Sequence, residues 1–326
     1  MCKKIFGKLF LMSALIFSLV FVFSLSSTIS AADKYPSQPV NFLIPFGAGG
    51  SADVMGRILS KNTEPFLGQP IVPINKPGAG GALMYTYVKD SKPDGYTVAW
   101  NSSSIVTVTN IGNVKYSYDA FDYVVRIGYT SMPIVVMADK PWKTFKEFIA
   151  YAKKNPNKIK IGNAGTGSAT HLTAVAMAKA TGAKFIHVPL GAKRRVPSLL
   201  GGEVEAICVP LPEAAAHAKA GKVRILVVST EKRDPSFPEV PSMKELGYNV
   251  AIDLFRGISV PKGTPQNVIK TLAKAFKKGA MQKGFQEIAK KKGFNVSLLD
   301  KEEFEKYLKK QNDFIAKTMK EAGLKK

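Results

Sequence analysis

Pro45-Phe46-Gly47-Ala48-Gly49-Gly50-Ser51-Ala52-Asp53 and Gly162-Asn163-Ala164-Gly165-Thr166-Gly167-Ser168-Ala169-Thr170-His171 share one design. Each joins a short apolar run to a helical pattern through a glycine-rich turn, with a hydroxyl residue at the helix start. Glycine permits the positive φ angles that turn successive N–H groups toward one point, and a helix N-terminus places roughly half a positive charge behind them. Such a loop is built to receive an anion. For either loop alone the alternative is that Ser51 and Ser168 are plain N-caps and the glycines only tighten a turn. Two copies about 115 residues apart, one in each half of the chain, favour the anion reading.

Working outward, the first loop joins the run Val40 to Pro45 to a pattern with Val54, Ile58 and Leu59 on one helical face. Ile71 to Asn75, the glycine-rich Pro77 to Gly81 and a helix through Val88 repeat the unit. The turn Lys92-Pro93-Asp94-Gly95 then leads into the strand Tyr96 to Trp100. Further predicted strands are Ile134 to Met137, Ile159 to Gly162, Lys184 to Val188, Ala206 to Val209 and Val223 to Ser229, and a helix is predicted near Thr144 to Lys153. Asn267 to Leu324 reads as helical and lysine-rich, with Phe304, Leu308 and Phe314 interrupting the charge, as on a solvated helix. Alternating strands and helices predict an α/β protein with mainly parallel, helix-flanked sheets.

The 326 residues suffice for two domains, and 45% hydrophobic residues exclude general disorder. The 47 Lys and Arg against 24 Asp and Glu give a net charge of +23, which concentrates anions without naming them. Lys3, Lys4 and Lys8 precede an uncharged run from Leu9 to Leu25, and Ser30-Ala31-Ala32 follows, which reads as a secretory signal peptide over residues 1–32. An uncleaved anchor helix is the alternative, but the run is short for one and the small residues suit cleavage. Cleavage leaves Cys208 as a lone thiol, and Cys2 precedes the apolar run rather than marking a lipoprotein cleavage point. Secretion disfavours a nucleic-acid partner. Two Cys and three His exclude a Cys-rich zinc site and a disulfide framework, and no metal or cofactor is expected. No Gly-x-x-x-x-Gly-Lys-Ser/Thr, full Gly-x-Gly-x-x-Gly or Gly-x-Ser-x-Gly motif occurs, and His171, His187 and His217 have no metal or triad spacing, so a nucleotide and hydrolysis are disfavoured.

The chain resembles the periplasmic solute-binding subunits of tripartite tricarboxylate transporters, the Bug receptors. Matching residues include Tyr35 to Val40, Pro45-Phe46 with Gly49-Gly50 and Asp53, Leu67 to Pro70, Asn75 to Gly81 and Pro93 to Thr97. Gly165 with Gly167-Ser168, His171-Leu172, His187 to Pro189, Leu200 to Gly202, Ala220 to Arg224, Pro238 to Pro241 and Pro261 with Gly263 to Pro265 continue the series. The resemblance implies a periplasmic, monomeric receptor of the type II-like two-lobed fold with two hinge crossings. It also implies a small organic carboxylate, di- or tricarboxylic or aromatic, held without catalysis, and large and small integral membrane subunits as partners. Lobe boundaries follow at 33–133 with 255–326, and at 134–254. A ligand-sensing partner of a signalling system, or a secreted enzyme acting on an acidic small molecule, are the alternatives.

Carried over by position, the resemblance nominates Phe46, Gly49, Ser51, Ala52 and Asp53 from the first loop, and Gly165, Thr166, Gly167, Ser168 and His171 from the second. Asp53, an anion in an anion site, is expected to orient water or hold backbone N–H groups. Ser102 and Ser103 are further candidates, with helix capping as their alternative. Three departures point to an individual pocket. Leu190 to Arg195 stands where the family carries Tyr, Lys and small residues, Glu205 replaces an aspartate, and Asp253-Leu254-Phe255-Arg256-Gly257 stands where many relatives carry tryptophan before the glycine. Phe255 is a candidate there. Lys193, Arg194 and Arg195 lie near a helix start, where positive charge is unfavourable by about 0.3–1 kcal/mol each. Local stability therefore does not explain them, and Arg194 or Arg195 is expected to reach the ligand, with solvation of both as the alternative.

Overall fold

The computed structural model describes residues 35–324, so the signal-peptide reading of residues 1–32 lies outside the described residues. The described residues from Gln38 to Leu324 form one compact unit. Its elements are β1 (Val40–Ile44), α1 (Ser51–Leu67), β2 (Ile71–Asn75), α2 (Ala82–Lys89), β3 (Thr97–Ser102), α3 (Ser104–Asn110), β4 (Phe121–Thr130) and β5 (Pro133–Met137). Next come α4 (Phe145–Lys154), β6 (Lys160–Asn163), α5 (Ala169–Thr181), β7 (Ile186–Pro189), α6 (Gly191–Leu200), β8 (Ala206–Cys208), α7 (Leu211–Lys219) and β9 (Val223–Val228). The chain ends with β10 (Leu254–Pro261), α8 (Gln266–Ala280), α9 (Lys283–Lys291), β11 (Asn295–Leu299) and α10 (Lys301–Glu321).

Two sheets form, a six-stranded one in the order β11-β4-β10-β3-β1-β2 and a five-stranded one in the order β7-β6-β8-β5-β9. The chain leaves the first between Thr130 and Pro133 and returns between Val228 and Leu254. The α/β class agrees with the sequence, but the sheets are mixed rather than mainly parallel. The β-loop-α units give the parallel pairs of β1 with β2 and β3, and of β6 with β7 and β8. Strands next to the passages between sheets run antiparallel: β10 enters between β3 and β4, and β5 enters between β8 and β9. A strand continuing straight from another sheet has no crossover helix to turn it parallel, which accounts for the difference.

Strand alternation explains why both sheets are covered on both faces. In β5, Ile134 and Val136 pack with Phe148 and Met177, whereas Val135 joins Leu199, Ile207 and Phe237 on the other side. In β1, Leu43 faces Tyr85 and Phe304, and Phe42 stacks on Trp100 and Phe276, each at 5.7 Å. Helices α1 and α8 meet so closely that a Cβ on Gly279 would lie 2.1 Å from Thr63 Oγ1, so only glycine fits. The lysine-rich terminus is helical as expected except for β11, and α10 buries Phe304, Leu308, Ile315 and Met319 beneath its charged face.

Candidate ligand-binding site

A cavity of about 380 Å³ lies where loops of the two sheets meet. The six-stranded half supplies Phe46, Gly80, Ser104, Thr107, Val108, Ile111 and Asn113. Ala164 to Thr170, Arg195 and Pro210 come from the five-stranded half, Met132 from the passage between β4 and β5, and Leu254 from the start of β10. Among the described residues no carboxylate lines this wall, and one guanidinium, that of Arg195, does. Of the residues nominated from sequence, Phe46, Gly165, Thr166, Gly167, Ser168 and Arg195 are brought together here.

The first loop is held from behind. Asp53, only 4% exposed, accepts the Gly49 N–H at 2.9 Å, Arg57 Nε at 2.8 Å and Asn75 Nδ2 at 2.9 Å. Asn75 Nδ2 also donates to the Phe46 carbonyl at 2.9 Å. Burial raises the Asp53 pKa, but hydrogen bonds from Gly49 and Asn75 and the Arg57 charge outweigh it and hold the carboxyl below its ordinary value. Asp53 therefore fixes the loop without lining the cavity. Gly49, Ser51 and Ala52 also lie outside the lining; Ala52 is buried and its carbonyl accepts Trp100 Nε1–H at 3.0 Å. Gly50 is the N-cap of α1 and no side chain caps it, so exposed Ser51 is not the capping residue.

The second loop is organised differently. Ser168 caps α5, accepting the His171 N–H at 3.2 Å. Ala164 N–H donates to Thr170 Oγ1 at 3.0 Å, Gly165 N–H to Asn163 Oδ1 at 2.9 Å, and Gly167 N–H to His171 Nδ1 at 3.1 Å. The glycine N–H groups are thus spent inside the turn, contrary to the expectation that they point at a ligand. Side chains do more of the polar work here, with Thr166, Ser168 and Thr170 at the wall.

His171 stands behind the turn, 8% exposed, its ring edge-on to His187 at 5.1 Å. Its Nδ1 accepts a hydrogen bond from the Gly167 N–H, so the neutral ring with its hydrogen on Nε2 fits the turn. Burial, then the neighbouring His187, pushes its pKa down to about 4. Between about 4 and its ordinary 6.5 the unfolded chain therefore binds a proton that the folded chain does not. Stability from this group is complete above pH 6.5 and falls as the pH drops toward 4, by up to about 1.4 kcal/mol per pH unit. Thermal melts of wild type and His171→Asn across this window are expected to show a smaller acid-side loss in the variant; parallel curves contradict that role.

Arg194 and Arg195 part company because successive helical residues point about 100° apart. Arg194 has a side chain 67% exposed and pairs with Glu203 at 3.1 Å, so the expectation that it reaches the cavity is corrected. Arg195 is 2% exposed and lines the cavity. Its Nη2 bonds Glu213 Oε1 at 2.8 Å, but Nε and Nη1 are buried without a hydrogen-bond partner. Burial keeps the Glu213 carboxyl above its ordinary pKa even though Arg195 opposes it.

Ser102 and Ser103 are buried outside the lining, at the end of β3 and the start of α3. Neither caps α3 with its side chain, although Ser102 Oγ accepts the Ser104 N–H at 3.2 Å. Ser104, which sequence reading passed over, is the serine at the wall; its Oγ lies 2.8 Å from both Tyr85 Oη and Ser102 Oγ. Phe255, fully buried, turns the other way and packs its ring edge-on against Phe304 and Tyr307, each at 5.5 Å, which corrects its nomination as a ligand contact. Strand alternation turns Phe255 away from its neighbour Leu254, which is the residue of this stretch in the cavity wall. Cys208 is fully buried and its pKa is pushed up to about 12 by burial.

The sequence model of the tripartite tricarboxylate transporter family receptor matches residues 55–324. The UPF0065 protein in the gbd 5' region of Cupriavidus necator is 35% identical over 291 residues, 89% of this chain and 86% of its own. The structure of a TctC solute binding protein from Polaromonas superposes with a TM-score of 0.81 at 35% identity, covering 88% of this chain and 99% of that one. An R. palustris protein solved with adipate shares the fold, with a TM-score of 0.75 at 23% identity over 89% of this chain and 98% of its own. The chain belongs to the tripartite tricarboxylate transporter receptor family.

Proposed function

We propose that this protein is a periplasmic receptor that binds a small organic carboxylate in the cavity between its two sheets and delivers it to large and small integral membrane subunits of a transporter. The observation that carries the reading is Arg195, a guanidinium at the wall of a carboxylate-free cavity with Nε and Nη1 unpartnered. Glu213 satisfies only Nη2, buried donors left without an acceptor are costly, and a carboxylate entering the cavity supplies an acceptor and a second negative charge beside the guanidinium. The uncapped start of α1 on the opposite side adds the positive end of a helix dipole. Membership of the family supports the transport role, and adipate in the R. palustris relative supports a dicarboxylate.

Ligand contacts in this reading fall to Phe46 and Ser104 on one side, and to Thr166, Ser168 and Arg195 on the other, with Gly165 and Gly167 shaping the turn. Residues 33–133 with 255–326 act as one lobe and 134–254 as the other, hinged where the chain passes between sheets. A ligand held by both favours the closed arrangement, which membrane subunits can read. A thermal-shift panel of mono-, di- and tricarboxylates and neutral sugars tests the class, since a ligand that binds only the folded state raises its melting temperature. Stabilisation by carboxylates and none by sugars is the expected pattern; stabilisation by neutral solutes alone contradicts it.

A further inference from the structure

Arg256 is a second buried guanidinium, in the other half of the molecule, 6% exposed. Among the described residues no carboxylate pairs with it, and its Nη1 is buried without a hydrogen-bond partner. Burial pushes its pKa down to about 10, with only the Tyr85 hydroxyl opposing. Arg256 is not itself part of the cavity wall, but its place in β10 puts it directly behind that wall. Leu254, two residues earlier in the same strand, lines the cavity, and residues two apart share a face of a strand. The two pair in unbroken register with Thr130 and Gly128, and the irregularity of this ladder begins only after Arg256. The Arg256 Cζ lies 5.5 Å from the centre of the Phe46 ring, which forms part of the cavity wall. Tyr85, whose hydroxyl interacts with the Arg256 charge, bonds Ser104, another wall residue.

A cation–π contact with Phe46 offsets only a small part of the cost of desolvating a guanidinium. Nothing in the packing of β10 requires charge here, since the sheet register is made by the backbone. An anion on the Phe46 and Ser104 side of the cavity would supply the partner that Nη1 lacks. Resting on the carboxylate reading above, we infer that Arg256 anchors a second anionic group of the ligand, so that Arg195 and Arg256 together select a dianion over a monoanion.

The test compares succinate, glutarate and adipate with butyrate and pentanoate by titration calorimetry on wild type, Arg256→Met and Arg256→Lys, with melting of each ligand-free protein. Wild type is expected to prefer the best dicarboxylate by at least 100-fold. Arg256→Met should lose at least 10-fold in dicarboxylate affinity, keep its monocarboxylate affinity, and melt at the same or a higher temperature without ligand. Arg256→Lys, which keeps the charge, should retain most of the preference. An unchanged preference in the Met variant overturns the inference, as does an equal loss for both ligand classes together with a lower melting temperature, the mark of a purely structural arginine. Loss of the preference in the Lys variant at unchanged stability also counts against a role for the charge. If wild type binds no carboxylate, the functional reading falls as well; if it binds and Arg256→Met binds equally, only the inference falls.

Discussion

Arg195→Met is expected to weaken carboxylate binding by about 10- to 150-fold, corresponding to about 1.5–3 kcal/mol for a hydrogen bond to a charged group. The reason is that Nε and Nη1 have no other partner and methionine fills a similar volume without charge. The neighbouring Glu213 then loses its ion pair, but its side chain is 33% exposed, so water can take the place of Arg195 there. Arg194→Ala is the control, because that side chain is 67% exposed and paired only with Glu203. Calorimetry of both variants in low and moderate salt separates a contact from a general field. A contact persists in salt and belongs to Arg195 alone, whereas equal, salt-sensitive losses at both positions indicate that the basic surface only concentrates anions.

Gly167→Val should remove binding altogether while leaving most of the fold. Gly167 has φ +76°, a region that costs an ordinary residue about 1–2 kcal/mol and a β-branched one more. A Cβ there would also lie 2.8 Å from Ile111 Cδ1, a residue of the other half of the cavity wall. The Ile111 methyl can rotate aside, but relief of the backbone strain shifts the turn, which breaks the Gly167 N–H bond to His171 and moves Thr166 and Ser168 off the wall. A stability loss of about 1–3 kcal/mol with unchanged far-ultraviolet circular dichroism and undetectable binding is the expected result. Near-normal affinity in a folded Gly167→Val protein would mean that the second loop does not contact the ligand.

The parallel half of each sheet was legible because glycine-rich turns punctuate it. Ile71–Asn75 matches the structure at both ends, and β1, β5, β6 and β9 fall within a residue or so of their predicted limits. Antiparallel β5 and β9 were read as well, but β4, β10 and β11, the antiparallel strands of the six-stranded sheet, were not. β4 carries Asp122 and Arg126 and β10 carries Arg256 within apolar runs, and no glycine-rich loop marks where either begins. β11 is a short, half-buried edge strand inside a lysine-rich stretch whose dominant period is helical.

At the site, sequence found the two loops but not how their donors are used. That Gly165 and Gly167 spend their N–H groups on Asn163 and His171 depends on side chains two and four residues away folding back, which glycine spacing does not encode. The pair Arg194-Arg195 was visible as an oddity, while the choice of Arg195 needed the helix phase that structure supplies. Ser104 was hidden by the more prominent Ser102-Ser103, since the orientation of three successive serines depends on where β3 stops and α3 starts.

A crystal structure of the protein grown with the most stabilising dicarboxylate of the panel tests the central claim most directly. The result expected is one ligand in the cavity of Phe46, Thr166 and Arg195, with a carboxylate oxygen within hydrogen-bond distance of Arg195 Nε or Nη1. A ligand bound elsewhere, or bound in this cavity with Arg195 still unpartnered, contradicts it.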